Sequence, residues 1–258
     1  RLTYDHANQK HTENAMTNHV LLDNVTHKDL RIRKTYGKGR GYDYNVARAF
    51  PAEFIPLQME YPLFFIKNNE SGHFDTIALL GFSDAENLYL GDTGWNAKYI
   101  PLSMDRQPFL IGFQEQDVDG VPTDVPVVHI DMDHPSVSDA EGEAVFLPHG
   151  GESPFLERMT SVLMTIYQGN DASQSFSQAL VGLELIESLA VDIEFDDGSR
   201  QGLAGLYSIN EEKLNSLNAA ALEVLHRKGY LQSIYMMLAS MPNLETLIER
   251  KNRQLQTA

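Results

Sequence analysis

Two imidazoles and two carboxylates crowd into "VVHIDMDHP", residues 127–135, as His129, Asp131, Asp133 and His134. In an extended strand alternate side chains share a face, so His129, Asp131 and Asp133 point one way and Ile130 and Met132 the other. Three such groups can converge on a divalent ion, and imidazole with carboxylate suits zinc, manganese or non-haem iron. His134 falls at the strand end, where Pro135 breaks the ladder. A complete set needs another ligand from a distant element, and the spacing of His73 or His149 does not bring either one here. Any strand with one core face and one wet face produces the same alternation. The segment is therefore read as a half-buried strand with no metal assigned, and a metal centre at 129–134 is the alternative.

Two other stretches contain residues suited to binding. "YLGDTGWNAKYIPL" carries the sole tryptophan, Trp95, with Tyr99, Asp92 and Lys98 near it in sequence. An indole between glycine turns stacks a ligand or anchors a loop on a sheet. "YGKGRGYDYN", residues 36–45, alternates glycine with cations and resembles a flexible anion-binding loop, but it lacks the G-x-x-x-x-G-K-[ST] phosphate cradle. No G-x-S-x-G elbow occurs, and Ser153 before Pro154 reads as a helix N-cap. No acid/base pair stands out among the carboxylates, so no catalytic residue and no cofactor is assigned.

These segments must be positioned by a chain of 258 residues with 42% hydrophobic and 22% charged residues, enough for a substantial core. Its formal net charge of −16 argues against a nucleic-acid partner. With no cysteine, disulfides, thiolate metal sites and cysteine nucleophiles are excluded. No run of roughly 18 apolar residues is present to span a bilayer. The opening residues lack an apolar signal core, so Met16 reads as the start, residues 1–15 as an added leader, and the location as cytoplasmic, with signal-independent secretion to the cell surface as the alternative. Lys28, Arg31, Arg33, Lys34, Lys38, Arg40 and Arg48 cluster early, whereas the stretch between Arg106 and Arg158 has eleven Asp and Glu and no Lys or Arg. This asymmetry suggests that the leader and basic N-terminal segment, residues 1–45, docks on the acidic middle, with a mobile arm offered to an acidic partner as the alternative.

From residue 54 to 147, short apolar runs such as "YPLFFIKN", "DTIALLGF", "NLYLGD", "YIPL", "PFLIGFQE", "VPVVHIDM" and "AVFLPHGG" predict about six or seven strands in a largely antiparallel sheet, with a partial barrel as one closure. After residue 151 the period becomes helical. One helix is expected to end near Gly169, with Asp171 or Ser173 capping the next. A β-hairpin turning at Asp197-Gly198 follows, then a helix capped by Asn210, then two amphipathic tail helices. The class is α+β: a β-rich segment 46–150 and a mainly helical segment 151–258 with an inserted hairpin, packed as one domain, 46–258.

The ordered segments "FPAEFIPLQMEYPLFFIKN", "GWNAKYIPLSMDRQPFLIGF", "HIDMDHPSV", "GLYSINEEKLNSL" and "LHRKGYLQSIYMMLASMPNLETLIERKN" resemble the bacterial SapC family over residues 46–252. The resemblance implies an accessory protein linked to the cell surface, since the family is named for a surface-layer association. It also implies functional neighbours of tryptophan-halogenase-like, cupin-like and TonB-dependent-receptor type, and it carries over no catalytic residue. The leading expectation is a non-enzymatic binding or assembly protein with a protein partner. The alternative is a metal-dependent oxygenase or hydrolase using His129, Asp131, Asp133 and His134.

Overall fold

A computed structural model describes residues 18–69, 71–91, 94–118 and 120–257. The leader at residues 1–15, the proposed start at Met16 and Asp92 lie outside that range. Strands β1 (His19–Leu21), β2 (Arg31–Ile32) and β3 (Val46–Arg48) precede helix α1 (Phe54–Leu57), β4 (Leu63–Lys67), β5 (Phe74–Leu79), β6 (Leu90–Gly91), β7 (Gly94–Trp95) and α2 (Leu102–Asp105). A long ribbon follows, β8 (Phe109–Val118) and β9 (Val121–Asp131), then β10 (Val137–Ser138), β11 (Glu143–Ala144) and α3 (Pro154–Gly182). The chain continues through β12 (Ile186–Glu194), β13 (Arg200–Ile209), α4 (Glu211–Asn215), α5 (Ala219–Arg227), α6 (Tyr230–Ser240) and α7 (Asn243–Thr257).

The class is α+β with antiparallel pairing, and among the described residues no sheet closes into a barrel. The largest sheet is open, in the order β12-β13-β4-β5-β3. Its centre, β4, is buried over Leu63, Phe64, Phe65 and Ile66, as a strand covered on both faces must be. Phe65 lies 6.1 Å from Phe176 of α3, and the Leu63 N–H donates to Ser240 Oγ of α6 at 2.9 Å. The β12–β13 hairpin is thus no mere interruption of the helices: Leu206 and Tyr207 pair with Ile66 and Phe65, completing the sheet begun 140 residues earlier.

A second, smaller core gathers Leu30, Ile32, Phe109, Ile130, Val145, Phe155, Met159 and Leu163. It lies where the base of the β1-β9-β8 sheet and the β10-β2-β11 strands meet the first turns of α3. The basic N-terminal segment docks here: β1 pairs with β9, and β2 pairs with both β10 and β11.

Several expected elements differ. "YIPL" leads into α2 and forms no strand, while "NLYLGD" and "AVFLPHGG" contribute only two-residue strands. The break expected near Gly169 is absent, because α3 runs 29 residues from its Ser153 cap. Gly169 lies within the helix and lets Phe50 pack on its backbone: a Cβ there would stand 2.8 Å from Phe50 Cδ1. Conversely, the single helix expected after Asn210 is two, because Asn218 caps α5 by accepting from the Ala221 N–H at 2.9 Å. The tail helices dock on the larger core through Ile234, Met237 and Leu247.

Gly169→Ala should lower stability by about 1–3 kcal/mol by overpacking against buried Phe50, instead of raising it by the ~1 kcal/mol that helix propensity alone implies. Chemical denaturation decides between the two signs. Deleting residues 230–258 strips the cover from β4 and should yield insoluble protein. A soluble product with an unchanged melting temperature would show that the tail carries no core packing.

Candidate functional site

The geometry separates the four residues of the 129–134 cluster. His129 and Asp131 share one face of β9, opposite Leu21 and His19 of β1, and His19 Nε2 stands 4.0 Å from Asp131 Oδ2. The His129 ring lies over Gly112, where an added Cβ would sit 2.5 Å from Nε2. Burial, then the neighbouring His19, holds its pKa below the usual imidazole range. Asp133 is exposed beyond the strand, its N–H donating to Asp131 Oδ1 at 3.1 Å. Both ring nitrogens of His134 are engaged, Nδ1 with Ser136 Oγ and Nε2 with Gln107 Oε1, each at 2.8 Å. Among the described residues no group of three or more His, Asp or Glu is arranged to hold a metal ion.

His134 instead supports the glycine-cation loop. Gly41 has φ +84°, and a Cβ on it would meet His134 Nε2 at 2.5 Å, so the loop presses its backbone directly on the imidazole. Tyr42 follows, fully buried, its ring edge-on to His134 at 5.8 Å. Burial lowers the His134 pKa, which suits a neutral ring donating from Nε2 to the Gln107 carbonyl and accepting the Ser136 N–H at Nδ1.

The loop held this way walls a cleft of about 660 Å³ whose lining includes Lys34, Tyr36, Lys38, Arg40, Trp95 and Ile100. The sequence motifs around residues 36–45 and Trp95 therefore meet in space. A second cleft of about 250 Å³, lined by Arg33, Thr35, Arg40, Pro135 and Ser136, adjoins it. Arg40 stands between them, donating to Thr35 Oγ1 at 2.7 Å. Among the described residues Arg33, Lys38 and Arg40 form no ion pair with a carboxylate.

Lys34 and Tyr36 are held by Asp105. The Tyr36 hydroxyl donates to Asp105 Oδ1 at 2.7 Å, Lys34 Nζ donates to the same oxygen at 3.2 Å, and Arg158 reaches Oδ2 at 3.2 Å. Burial pushes the Tyr36 pKa far up and the Lys34 pKa down, with Asp105 opposing the lysine shift. Trp95 is fixed as tightly: its indole N–H donates to the Tyr61 hydroxyl at 2.7 Å, which itself donates to the Tyr99 carbonyl. Tyr89 stacks on Trp95 at 6.3 Å, and the Arg250 guanidinium of α7 lies 4.4 Å from the Tyr89 ring centroid. The back of the cleft is thus fixed by hydrogen bonds and ring contacts, and Lys38 and Arg40 stand exposed at its edge.

Glu53 supports the wall that contains Ile100. It is 2% exposed, and it accepts from the Tyr99 hydroxyl at 3.0 Å and from the Leu102 and Phe50 N–H groups at 2.9 and 3.2 Å. Nothing in the sequence marks Glu53 or Asp105 beforehand, since each is a single acid whose partners, apart from Phe50, lie far along the chain.

These features define an α+β protein with a basic, aromatic cleft at the junction of two cores. The SapC family profile matches residues 22–247, and the chain belongs to the SapC family. Neither a curated protein nor a solved structure gives a significant match. No described helix is long and apolar enough to cross a membrane.

Desolvation raises the Glu53 pKa to about 7 from an ordinary 4.5, against the three hydrogen bonds that favour its charge. The folded chain therefore binds more protons than the unfolded one between these values. Stability should fall as pH rises from about 4.5 to 7, by on the order of 3 kcal/mol in all, and stay level above. Glu53→Gln should flatten that portion of the profile in paired denaturation curves. Parallel curves for the two proteins would show that Glu53 titrates normally.

Proposed function

We infer that the chain is a non-enzymatic binding protein, accessory to cell-surface or uptake functions of a bacterium, that holds an anionic ligand bearing a flat ring. The observation that supports it is the grouping of Arg33, Lys38 and Arg40 beside Trp95 and Tyr36, in a protein whose net charge is −16. On a surface that repels anions, an isolated cationic cleft focuses the field and concentrates them. Guanidinium forks suit carboxylate, sulfate or phosphate, and the indole and phenol planes suit a ring. The ionisable groups at the back of the cleft favour holding over chemistry: Tyr36 and Lys34 are both committed to Asp105 and have no free proton acceptor. A cytoplasmic location, with signal-independent export as the alternative, goes with this reading, and fractionation of the host separates the two.

Calorimetry with naphthalene-2-sulfonate tests the cleft, using uncharged 2-naphthol as control. The sulfonate should bind once per chain, and Lys38→Ala or Arg40→Ala should each weaken it about 3- to 10-fold. Equal binding of 2-naphthol, or variants that bind like the parent, would remove the cleft from the argument. Metal analysis of untagged protein addresses the enzyme alternative: stoichiometric zinc, iron or manganese that disappears in His129→Ala would favour a metal-dependent reaction over the binding role.

A further inference from the structure

The β8–β9 ribbon extends well past the small core that anchors it. Its register is unbroken from Phe109–Ile130 to Val118–Val121, yet β1 covers β9 only opposite His129, Ile130 and Asp131. From Phe113 to Asp117 every residue of β8 is exposed, and Phe113, 54% exposed, has its ring centroid 5.9 Å from that of Tyr167 of α3. Isolated two-stranded ribbons are marginal in water, so the question is what the two open edges are for.

The edges differ chemically. The Val128 carbonyl of β9 accepts the Leu22 N–H at 3.0 Å, so even-numbered residues of β9 turn their backbone groups away from β8. Pro122 and Pro126 share that parity. Their missing N–H groups therefore lie on the outer edge, where they remove two donors that another strand would need, without damaging the ribbon's own ladder. The outer edge of β8 has no such block. Because Leu110 pairs with His129, the odd residues of β8 face outward, and the N–H and C=O groups of Phe113, Glu115 and Asp117 have no hydrogen-bond partner among the described residues.

Charge indicates what would pair there. Glu115 stands directly opposite Asp124, a like-charge cross-strand pair that destabilises the ribbon. Asp117 follows on the same face, and no Lys or Arg occurs anywhere between Arg106 and Arg158. Among the described residues none of these three carboxylates has an ion-pair partner. Cations on a strand added beside β8 would relieve this repulsion, whereas a second copy of the ribbon would add to it. We propose that the outer edge of β8, at Phe113, Glu115 and Asp117, receives an extended cationic segment of a partner protein by β-strand addition.

The test uses the full chain and a synthetic peptide of alternating Lys and Val, with a Lys-Gly-Pro peptide of equal charge as the control that cannot form a strand. Binding is read by fluorescence anisotropy and located by hydrogen exchange. The Lys-Val peptide should slow exchange at the amides of Phe113, Glu115 and Asp117. Glu115→Pro removes one outward N–H while sparing the ladder and should weaken binding at least 10-fold. The double variant Glu115→Lys with Asp117→Lys keeps every backbone donor and should weaken it comparably. The proposal is overturned if the control peptide binds as well, if the three amides stay unprotected, if Glu115→Pro binds normally, or if no peptide binds. It is likewise overturned if the amides are already protected in a self-associated form at rising concentration, which would make a second copy the occupant.

Discussion

Asp105 is the junction on which the site depends. Its carboxylate, 14% exposed, takes Lys34 and Tyr36 from the N-terminal segment and Arg158 from the first turns of α3, and it sits at the end of α2. Three parts of the chain separated by 50 or more residues are joined at one buried charge. A part-buried carboxylate is costly to desolvate, and Lys34, 11% exposed, offsets that cost more than Arg158, which is 52% exposed and screened by solvent. The back wall of the cleft is held by these shared contacts.

The long helix α3 carries the constraint from one core to the other. Its early turns place Phe155, Met159 and Leu163 in the small core, and its late turns place Phe176 and Leu180 in the large one. Twenty-nine residues of helix span roughly 43 Å. The crossing point is Gly169, where Phe50 presses on bare backbone, and Phe50 is adjacent to the turn that contains Glu53. Glu53 in turn accepts from the Tyr99 hydroxyl and the Leu102 N–H of the wall. The tail helix α7 reaches the same wall from the other side, through Arg250 on Tyr89 and on the Asn96 carbonyl at 3.0 Å.

Charge is partitioned to match. Cations collect where the N-terminal segment folds into the cleft, and the ribbon beyond the small core is purely acidic. The family profile spans both regions, although the regions themselves are far apart in composition.

The sequence by itself determined the class and most of the local structure. Short apolar runs between turn residues marked β4, β5, β8 and β9, the Asp-Gly turn marked the β12–β13 hairpin, and the caps Ser153 and Asn210 marked helix starts, because these signals lie within a few residues of one another. It also singled out the two motifs that form the cleft, but not that they meet. It misplaced the end of α3, where Gly169 lies inside the helix and serves to let Phe50, 119 positions away, pack on the backbone. It grouped His129, Asp131, Asp133 and His134 by proximity along the chain. The fold instead gave His134 to Gln107, Ser136 and the loop at Gly41, because an imidazole takes its partners from whatever packs against it, and packing between distant segments is decided by tertiary structure alone.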